Sequence, residues 1–340
     1  MTDGVGISGT GRIGRLLIRK IFKDNTCQNP LKAINTNYPA ETIAHLLKYD
    51  SVHGIWDVDI TAGESYLIIN GRRVEVVFEN EPERIPWKSL GVDVVIDATG
   101  KFNDRYGAQK HLSGGASTVV LTAPGNQVDQ TIVMGVNQQN YDPSKHFLLS
   151  AASCTTNCLV PILNILDQSF YVNDVWVTTI HSYTNDQKHL DNPHQDLRRA
   201  RACTQSIVPT STGVGQAIKD IMPRLAPLVN GLSIRVPTPN VSLLDLTIRV
   251  GGRVMRDEVR DSLLKAVNGE YSRYVDFVEA PLVSIDFVGC DKSAIIDGLS
   301  LAVRDDQIKL LAWYDNEWGY VSRVLDLISM VLNKKREVFI

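Results

Sequence analysis

Cys154 is the side chain here best suited to act as a nucleophile. It lies in Ser150–Cys158, SAASCTTNC, and behind it Leu159, Ile162, Leu163 and Leu166 recur at three- and four-residue steps. That spacing predicts a helix ending near Ser169 and Phe170. Ser153 reads as its N-cap, which puts Cys154 in the first turn. A thiol there faces unpaired backbone N–H groups and the positive end of the helix dipole. Both favour the thiolate, the nucleophilic form. Cys158, one turn later, is expected to be the less reactive. A small buried cysteine with no chemistry would satisfy the same nine residues, so the rest of the chain must choose.

A second chemical signal lies near the start. Gly4 to Ser8 reads as a short strand, Gly9-Thr10-Gly11-Arg12-Ile13-Gly14 follows at once, and Leu16, Leu17, Ile18, Ile21 and Phe22 form a helical stripe. Another strand begins at Leu31–Asn35. Strand, G-x-G-x-x-G turn, helix and strand is the context of a dinucleotide-binding turn, in which glycines let the backbone approach a pyrophosphate at the helix start. A βα turn with no ligand would use the same glycines. An acidic residue normally closes the second strand and bonds the adenosine ribose. Here Asn35-Thr36-Asn37-Tyr38 carries no carboxylate, so a 2′-phosphate is less repelled and the expectation tilts to NADP. Thr36 and Asn37 bonding both ribose hydroxyls would instead keep NAD.

His181 ends the strand-like run Val175–Ile180. A histidine there is either packed structurally or, if it meets Cys154 in space, the partner that activates it. A dinucleotide fold with a thiol–imidazole pair favours aldehyde oxidation. The thiolate adds to the carbonyl, giving a tetrahedral species from which hydride can leave. Metal is not expected, since neither C-x-x-C nor H-x-x-x-H spacing occurs.

The elements that must position these groups divide the chain. Glu41–Tyr49 looks helical, and Tyr66–Ile69 with Val74–Phe78 looks like a hairpin about Asn70-Gly71. Val92–Ile96 and Val119–Leu121 are apolar enough for buried parallel strands; they end in Asp97-Ala98-Thr99-Gly100 and Thr122-Ala123-Pro124. Small polar residues at such strand ends point at a cofactor in a doubly wound sheet or serve as ordinary turn residues. Ile132–Val136 and Phe147–Leu149 are read as two further strands. Beyond Cys154 the pattern changes. Ser182–Thr204 is a long polar passage, as expected of a functional or interface segment. Leu232–Pro237, Ser242–Val250, Leu282–Phe287, Ala294–Asp297 and Gln307–Tyr314 read as strands, Val254–Val267 as a helix, and Val321–Leu332 as a final amphipathic helix. The expected fold is α/β: a Rossmann-type dinucleotide-binding domain (1–152) and an α+β catalytic domain with a mostly antiparallel sheet (153–318). A C-terminal helix (319–340) is expected to return to the first domain.

With 340 residues, 44% of them hydrophobic and 21% charged, and a net charge of −3, the composition is that of a globular protein and gives no sign of nucleic-acid or membrane-surface binding. Five scattered cysteines (27, 154, 158, 203 and 290) do not resemble a disulfide framework and fit a reducing cytoplasm. Strand-like residues from Val5 leave no room for a signal peptide. No apolar run reaches the roughly 18 residues a membrane helix needs.

Taken together, GTGRIGR (9–15), ASCTTNC (152–158), HSYTNDQ (181–187), DLRRAR (196–201), PTSTG (209–213), RVPTPNVS (235–242) and WYDNEWGY (313–320) resemble the phosphorylating glyceraldehyde-3-phosphate dehydrogenase family over essentially the whole chain. The likeness is nearest the branch often active with NADP and run in the gluconeogenic direction. The resemblance implies Cys154 as nucleophile and His181 as its base, with Ser153 and Thr155 flanking. It implies Thr184 and Arg235 at the phosphate of glyceraldehyde 3-phosphate, and Arg199, Thr212 and Gly213 at the attacking inorganic phosphate. For the cofactor, NADP or NAD, it implies Gly9, Gly11, Arg12, Ile13 and Gly14 at the pyrophosphate. Thr99 and Thr122 would lie nearby, Asn316 at the carboxamide and Tyr320 beside the nicotinamide. Family members are usually homotetramers. Erythrose-4-phosphate dehydrogenase and a non-catalytic nucleotide-binding relative are the alternatives. The chain departs from the family at Ser8 (usually asparagine), Thr10 (usually aromatic) and Ala151 (usually asparagine). Thr36 stands where the ribose-binding aspartate is usual, and Asn80 where an arginine often lies near the adenine. Asn192 and Pro193 replace the leucine–proline pair common in strict NAD users; only the proline stays.

Overall fold

Short apolar runs pair side by side into the first sheet. The computed structural model describes residues 4–23 and 31–338; Cys27 lies outside the described residues. In chain order, β1 (Val5–Ser8), α1 (Arg12–Lys23), β2 (Leu31–Asn35) and α2 (Ala40–Lys48) come first. A two-stranded ribbon, β3 (Tyr49–Asp50) and β4 (Gly54–Ile55), precedes β5 (Ile60–Ala62), β6 (Tyr66–Ile69) and β7 (Arg72–Val77). Then follow β8 (Val94–Asp97), α3 (Arg105–Ser113), β9 (Thr118–Leu121), β10 (Gln130–Thr131) and β11 (Leu148–Ser150). The sheet runs β10-β11-β9-β8-β1-β2-β7-β6-β5, parallel as far as β7 and antiparallel beyond. β1, β8 and β9 are buried along their whole length, as strands covered on both faces must be. Each fully buried Ile or Leu of this layer contributes about 1.5–3 kcal/mol. The β6–β7 hairpin turns at Asn70 (φ 47°) and Gly71 (φ 75°), both left-handed, as a two-residue hairpin turn requires. The order in which successive strands are added reverses between β1 and β8, the crevice where doubly wound sheets bind ligands.

The second sheet belongs to another compact unit. It follows α4 (Cys154–Phe170) and comprises β12 (Val172–Ser182), β13 (Val208–Ser211), β14 (Val229–Val236), β15 (Ser242–Val250), β16 (Val275–Val278), β17 (Ala294–Arg304) and β18 (Gln307–Tyr314), in the order β13-β14-β12-β15-β18-β17-β16. Four of its pairings are antiparallel; β12–β14 and β16–β17 are parallel. Helices α5 (Val214–Ala217) and α6 (Arg256–Val267) complete this part, and α7 (Trp318–Val338) is the last element. One compact unit takes in the chain to Ile132, Asn137–Ser153 and the residues from Val321 onward; the other takes Val133–Val136 and Cys154–Tyr320. Among the described residues no helix is long and apolar enough to cross a membrane.

Two expected strands are not formed. Past Thr131 the run Ile132–Val136 leaves the sheet for a turn in which Gly135 has φ 89°. A side chain there would also strike Tyr274, 2.4 Å from an ideal Cβ. Within Leu282–Phe287, Asp286 accepts the Val283 N–H at 2.8 Å and winds Ser284–Phe287 into a 3-10 turn. That local side-chain bond competes with a ladder.

Candidate active site

Strand register assembles the reactive cluster. β12 and β14 run parallel with His181 opposite Arg235, and β13 places Val208 opposite Arg235 from the other side. α4 begins at Cys154, so the thiol occupies the first turn as expected. Its Sγ lies 3.5 Å from His181 Nε2 and 4.0 Å from Thr155 Oγ1. His181 Nδ1 lies 2.7 Å from the Ser182 carbonyl oxygen, and Arg235 Nη1 donates to the same oxygen at 3.0 Å. Nδ1 and Nη1 are themselves 2.8 Å apart. A carbonyl only accepts, so the shorter, 2.7 Å contact is an Nδ1–H donating to Ser182 O, and Arg235 directs its N–H to the same oxygen rather than to Nδ1. The lone pair of the neutral ring then falls on Nε2, facing the sulfur.

Electrostatics fix the resting state. Burial, followed by the Arg235 charge, lowers the His181 pKa to about 3, against the opposing Ser182 carbonyl. His181 is therefore neutral near pH 7. For Cys154, burial pushes the thiol pKa up, and the pull of Arg235 and of the Thr155 hydroxyl and N–H does not overcome it. The expected bias toward thiolate is thus corrected. The N–H groups at the helix start act in the anticipated direction, but desolvation of the charged sulfur outweighs them. Resting Cys154 is a thiol beside a neutral base. Cys158, fully buried, is raised well above the ordinary value, again by burial first.

Tyr314 supports this cluster. Its hydroxyl lies 3.2 Å from Thr155 Oγ1 and 2.9 Å from Thr179 Oγ1, and its ring meets His181 edge-on at 5.9 Å. Sequence reasoning assigned it no role. The signal was available in the alternation of β18, whose buried positions Ile308, Leu310 and Ala312 end in a tyrosine. Ser242 was missed too. Its Oγ donates to Asn316 Oδ1 at 2.9 Å and accepts the Ser182 N–H at 3.1 Å, tying Asn316 to the strand of His181. Tyr320 is buried.

The remaining phosphate candidates are engaged within the polar passage. Thr184 donates N–H and hydroxyl to Gln187 Oε1, at 2.7 and 3.2 Å. Arg199 is paired with Asp186 and Asp196, so it is not a lone cation. Its charge is still felt at Arg235, whose pKa burial lowers first. Arg235 Nε is buried and has no hydrogen-bond partner among the described residues. Thr212 is half-buried and Gly213 caps the start of α5. Ser153 immediately precedes α4.

In the first unit, the three glycines of the turn do different work. Gly9 has φ +97°, and a Cβ on it would lie 2.7 Å from the Ala98 and Thr99 backbone; one on Gly14 would lie 2.0 Å from Gly9 O. A Cβ on Gly11 meets nothing within 4 Å. Two glycines thus serve the turn, and the third leaves open a backbone cradle at the start of α1, which suits a pyrophosphate. The Ile13 side chain is half-buried beside it. Arg12, expected at the pyrophosphate, points its guanidinium at Asp50 with contacts of 2.5 and 3.2 Å. Burial raises the Asp50 pKa, but the His53 N–H, Arg12 and Val52 N–H outweigh it and hold it at about 2. A phosphate contact at this turn therefore falls to backbone N–H groups.

At the ends of β8 and β9, Thr99 gives N–H and hydroxyl to Asp97 Oδ1 at 2.8 and 2.6 Å, and Thr122 gives its hydroxyl to Asp97 O at 3.1 Å. Behind them the Trp87 indole, which only donates, bonds His111 Nδ1 at 3.1 Å, so His111 Nε2–H donates to Asp97 Oδ2 at 3.1 Å. Thr36 does not face outward alone: its hydroxyl pairs with Thr10 at 2.6 Å. Asn80 is exposed, with its N–H on Glu79 Oε1.

Comparison with known proteins agrees with both halves. Residues 4–105 match the model for the glyceraldehyde 3-phosphate dehydrogenase NAD binding domain, and residues 153–316 that for its C-terminal domain. Glyceraldehyde-3-phosphate dehydrogenase 2 of Bacillus subtilis is 48% identical over 328 residues, 96% of each chain. Glyceraldehyde-3-phosphate dehydrogenase of Geobacillus stearothermophilus is 46% identical over 335 residues, covering 98% of this chain and 99% of its own. A Rossmann order of strands, an open glycine cradle and a thiol–imidazole pair carried on α4 and β12 accompany these full-length matches, and the chain belongs to the glyceraldehyde-3-phosphate dehydrogenase family.

Proposed function

We propose that this chain oxidises glyceraldehyde 3-phosphate to 1,3-bisphosphoglycerate, reversibly and with inorganic phosphate, using NADP in preference to NAD. The observation that carries the reading is the 3.5 Å approach of Cys154 Sγ to the lone-pair nitrogen of an anchored, neutral His181. As Sγ attacks the aldehyde carbon, its proton passes to Nε2, giving the hemithioacetal oxyanion on Cys154. The imidazolium so formed is unfavourable beside Arg235. An anionic substrate phosphate seated on Arg235 and Thr184 offsets that repulsion, so the base is strongest when substrate is bound. A nicotinamide dinucleotide would supply the hydride acceptor; Gly9, Gly11, Gly14 and the N–H groups of Arg12 and Ile13 would hold its pyrophosphate, and Asn316 and Tyr320 would meet its nicotinamide. The imidazolium returns its proton to the oxyanion to complete the hemithioacetal hydroxyl. His181, neutral again, takes the proton back as hydride leaves carbon, so that an acyl-thioester remains on Cys154. Inorganic phosphate at Arg199, Thr212 and Gly213 then displaces the thiolate. Splitting the reaction through a covalent acyl group replaces one hard step by two easier ones.

NADP preference is supported by Thr36, where a carboxylate would repel a 2′-phosphate. The test is steady-state turnover with NAD or NADP, with and without phosphate. Phosphate-dependent reduction, faster with NADP, is expected. A phosphate-independent rate with erythrose 4-phosphate would overturn the assignment. Assembly as a homotetramer in the cytoplasm is part of the same proposal, by likeness to the family.

A further inference from the structure

Ser8, Thr10 and Thr36 depart from the family pattern and meet in one corner at the ends of β1 and β2. Ser8 Oγ accepts from Asn35 Nδ2 at 3.3 Å. Asn35 also clasps Glu79, donating to its carbonyl at 2.9 Å and accepting its N–H at 3.0 Å. Beside this, Thr10 Oγ1 lies 2.6 Å from Thr36 Oγ1, and the Tyr38 N–H donates to Thr36 Oγ1 at 3.3 Å. Thr10 and Thr36 are 6% and 3% exposed, so they act as one unit. The Thr10 carbonyl is held by Arg15 Nη1 at 2.7 Å.

We propose that Thr10 is a second cofactor-discriminating position, acting through Thr36 so that the pair offers a hydroxyl proton to the 2′-phosphate of NADP. The proposal rests on Thr36 being the ribose position of the dehydrogenase proposed above. Its basis is a count of protons and lone pairs. Each hydroxyl has one proton and two lone pairs. Tyr38 N–H occupies one lone pair of Thr36, and the bond within the pair consumes one of the two hydroxyl protons whichever residue donates. One proton is left over, on Thr36 if Thr10 donates and on Thr10 if Thr36 donates. A 2′-phosphate answers that proton with anionic oxygens, and a hydrogen bond to a charged acceptor is about twice as strong as a neutral one. A ribose hydroxyl answers it only weakly. An aromatic residue at position 10 would have no such proton. A carboxylate at position 36 would reverse the pair, taking the Thr10 proton for itself and presenting lone pairs to a ribose diol.

Thr10 is thus a positioning residue, and its test is binding as well as turnover. Dissociation constants for NADP and NAD are measured by calorimetry on the full-length protein and on Thr10→Val, Thr10→Ser, Thr36→Asp and the Thr10→Val/Thr36→Asp double variant. Thr10→Val, which keeps shape and loses the hydroxyl, is expected to lower the NADP-over-NAD affinity ratio about three- to tenfold, with KM moving and kcat holding. Thr10→Ser should restore the ratio. The swing toward NAD on Thr36→Asp should be at least about threefold smaller in the Thr10→Val background, because the new carboxylate loses its donor. Equal swings in both backgrounds, or a ratio unmoved by Thr10→Val, would overturn the role of Thr10. A ratio unmoved by Thr36→Asp itself would instead overturn the placing of the ribose at Thr36.

Discussion

Replacing His181 by asparagine isolates the base. Among the described residues the polar neighbours of Cys154 Sγ are His181 Nε2 at 3.5 Å and Thr155 Oγ1 at 4.0 Å. A threonine hydroxyl cannot accept a thiol proton near neutral pH, so no second base stands in. The imidazole is held for the task by its Nδ1–Ser182 O contact of 2.7 Å. His181→Asn therefore removes the whole general-base contribution, about 10²- to 10⁴-fold in rate, or roughly 3–5 kcal/mol of barrier. Because the assigned phosphate contacts are Thr184 and Arg235, KM for glyceraldehyde 3-phosphate should stay within about threefold. The assay is a stopped-flow burst of reduced nicotinamide with saturating cofactor, separating acylation from product release. A burst slowed less than tenfold would refute the proton-transfer role of Nε2.

The same histidine should be visible in acid stability. Unfolded His181 takes up a proton near its ordinary pKa of about 6.5, whereas the folded protein refuses it until about pH 3. The unfolded state binds more protons across that window, so stability falls as pH drops. His181→Asn should flatten the fall by up to about 1.4 kcal/mol per pH unit, and parallel denaturation curves would contradict burial of the neutral ring. Gly11→Ala should leave thermal stability nearly unchanged yet cut cofactor affinity, while Gly14→Ala, with its Cβ 2.0 Å from Gly9 O, should destabilise the domain itself. Equal effects of the two on stability would refute the division of labour in the turn. His111→Phe strands the Trp87 indole N–H and takes one donor from Asp97, which keeps Thr99, in a core where His111 and Asp97 are 0% and 1% exposed. A loss of about 1–3 kcal/mol is expected, measured by urea unfolding; under about 0.5 kcal/mol would contradict the stranding of the indole N–H.

The dinucleotide half was legible because its physics is local. Buried parallel strands read as apolar runs, and a glycine turn between strand and helix has few other uses. Ile132–Val136 and Leu282–Phe287 look the same as such strands in composition. What removes them from the sheets is one left-handed glycine and one carboxylate–N–H bond. β13 and β16 escaped notice because each is a four-residue edge strand, and β13 carries Pro209, which only an edge tolerates. At the reactive cluster the residue types were readable and their energetics were not. The ionisation of Cys154 depends on desolvation in the folded site, and that of His181 on burial and on the charge of Arg235, 54 positions away in sequence. The Thr10–Thr36 contact likewise joins two positions that sequence presents as unrelated departures.

The central claim is a covalent acyl group on Cys154 that inorganic phosphate releases. Mixing the protein with glyceraldehyde 3-phosphate and NADP in phosphate-free buffer, quenching in acid and weighing the intact chain tests it directly. One equivalent of reduced cofactor with a single 3-phosphoglyceryl adduct on the peptide containing Cys154, lost on adding phosphate, is the predicted result. Continuous turnover without phosphate, or a burst that leaves Cys154 unmodified, would contradict it.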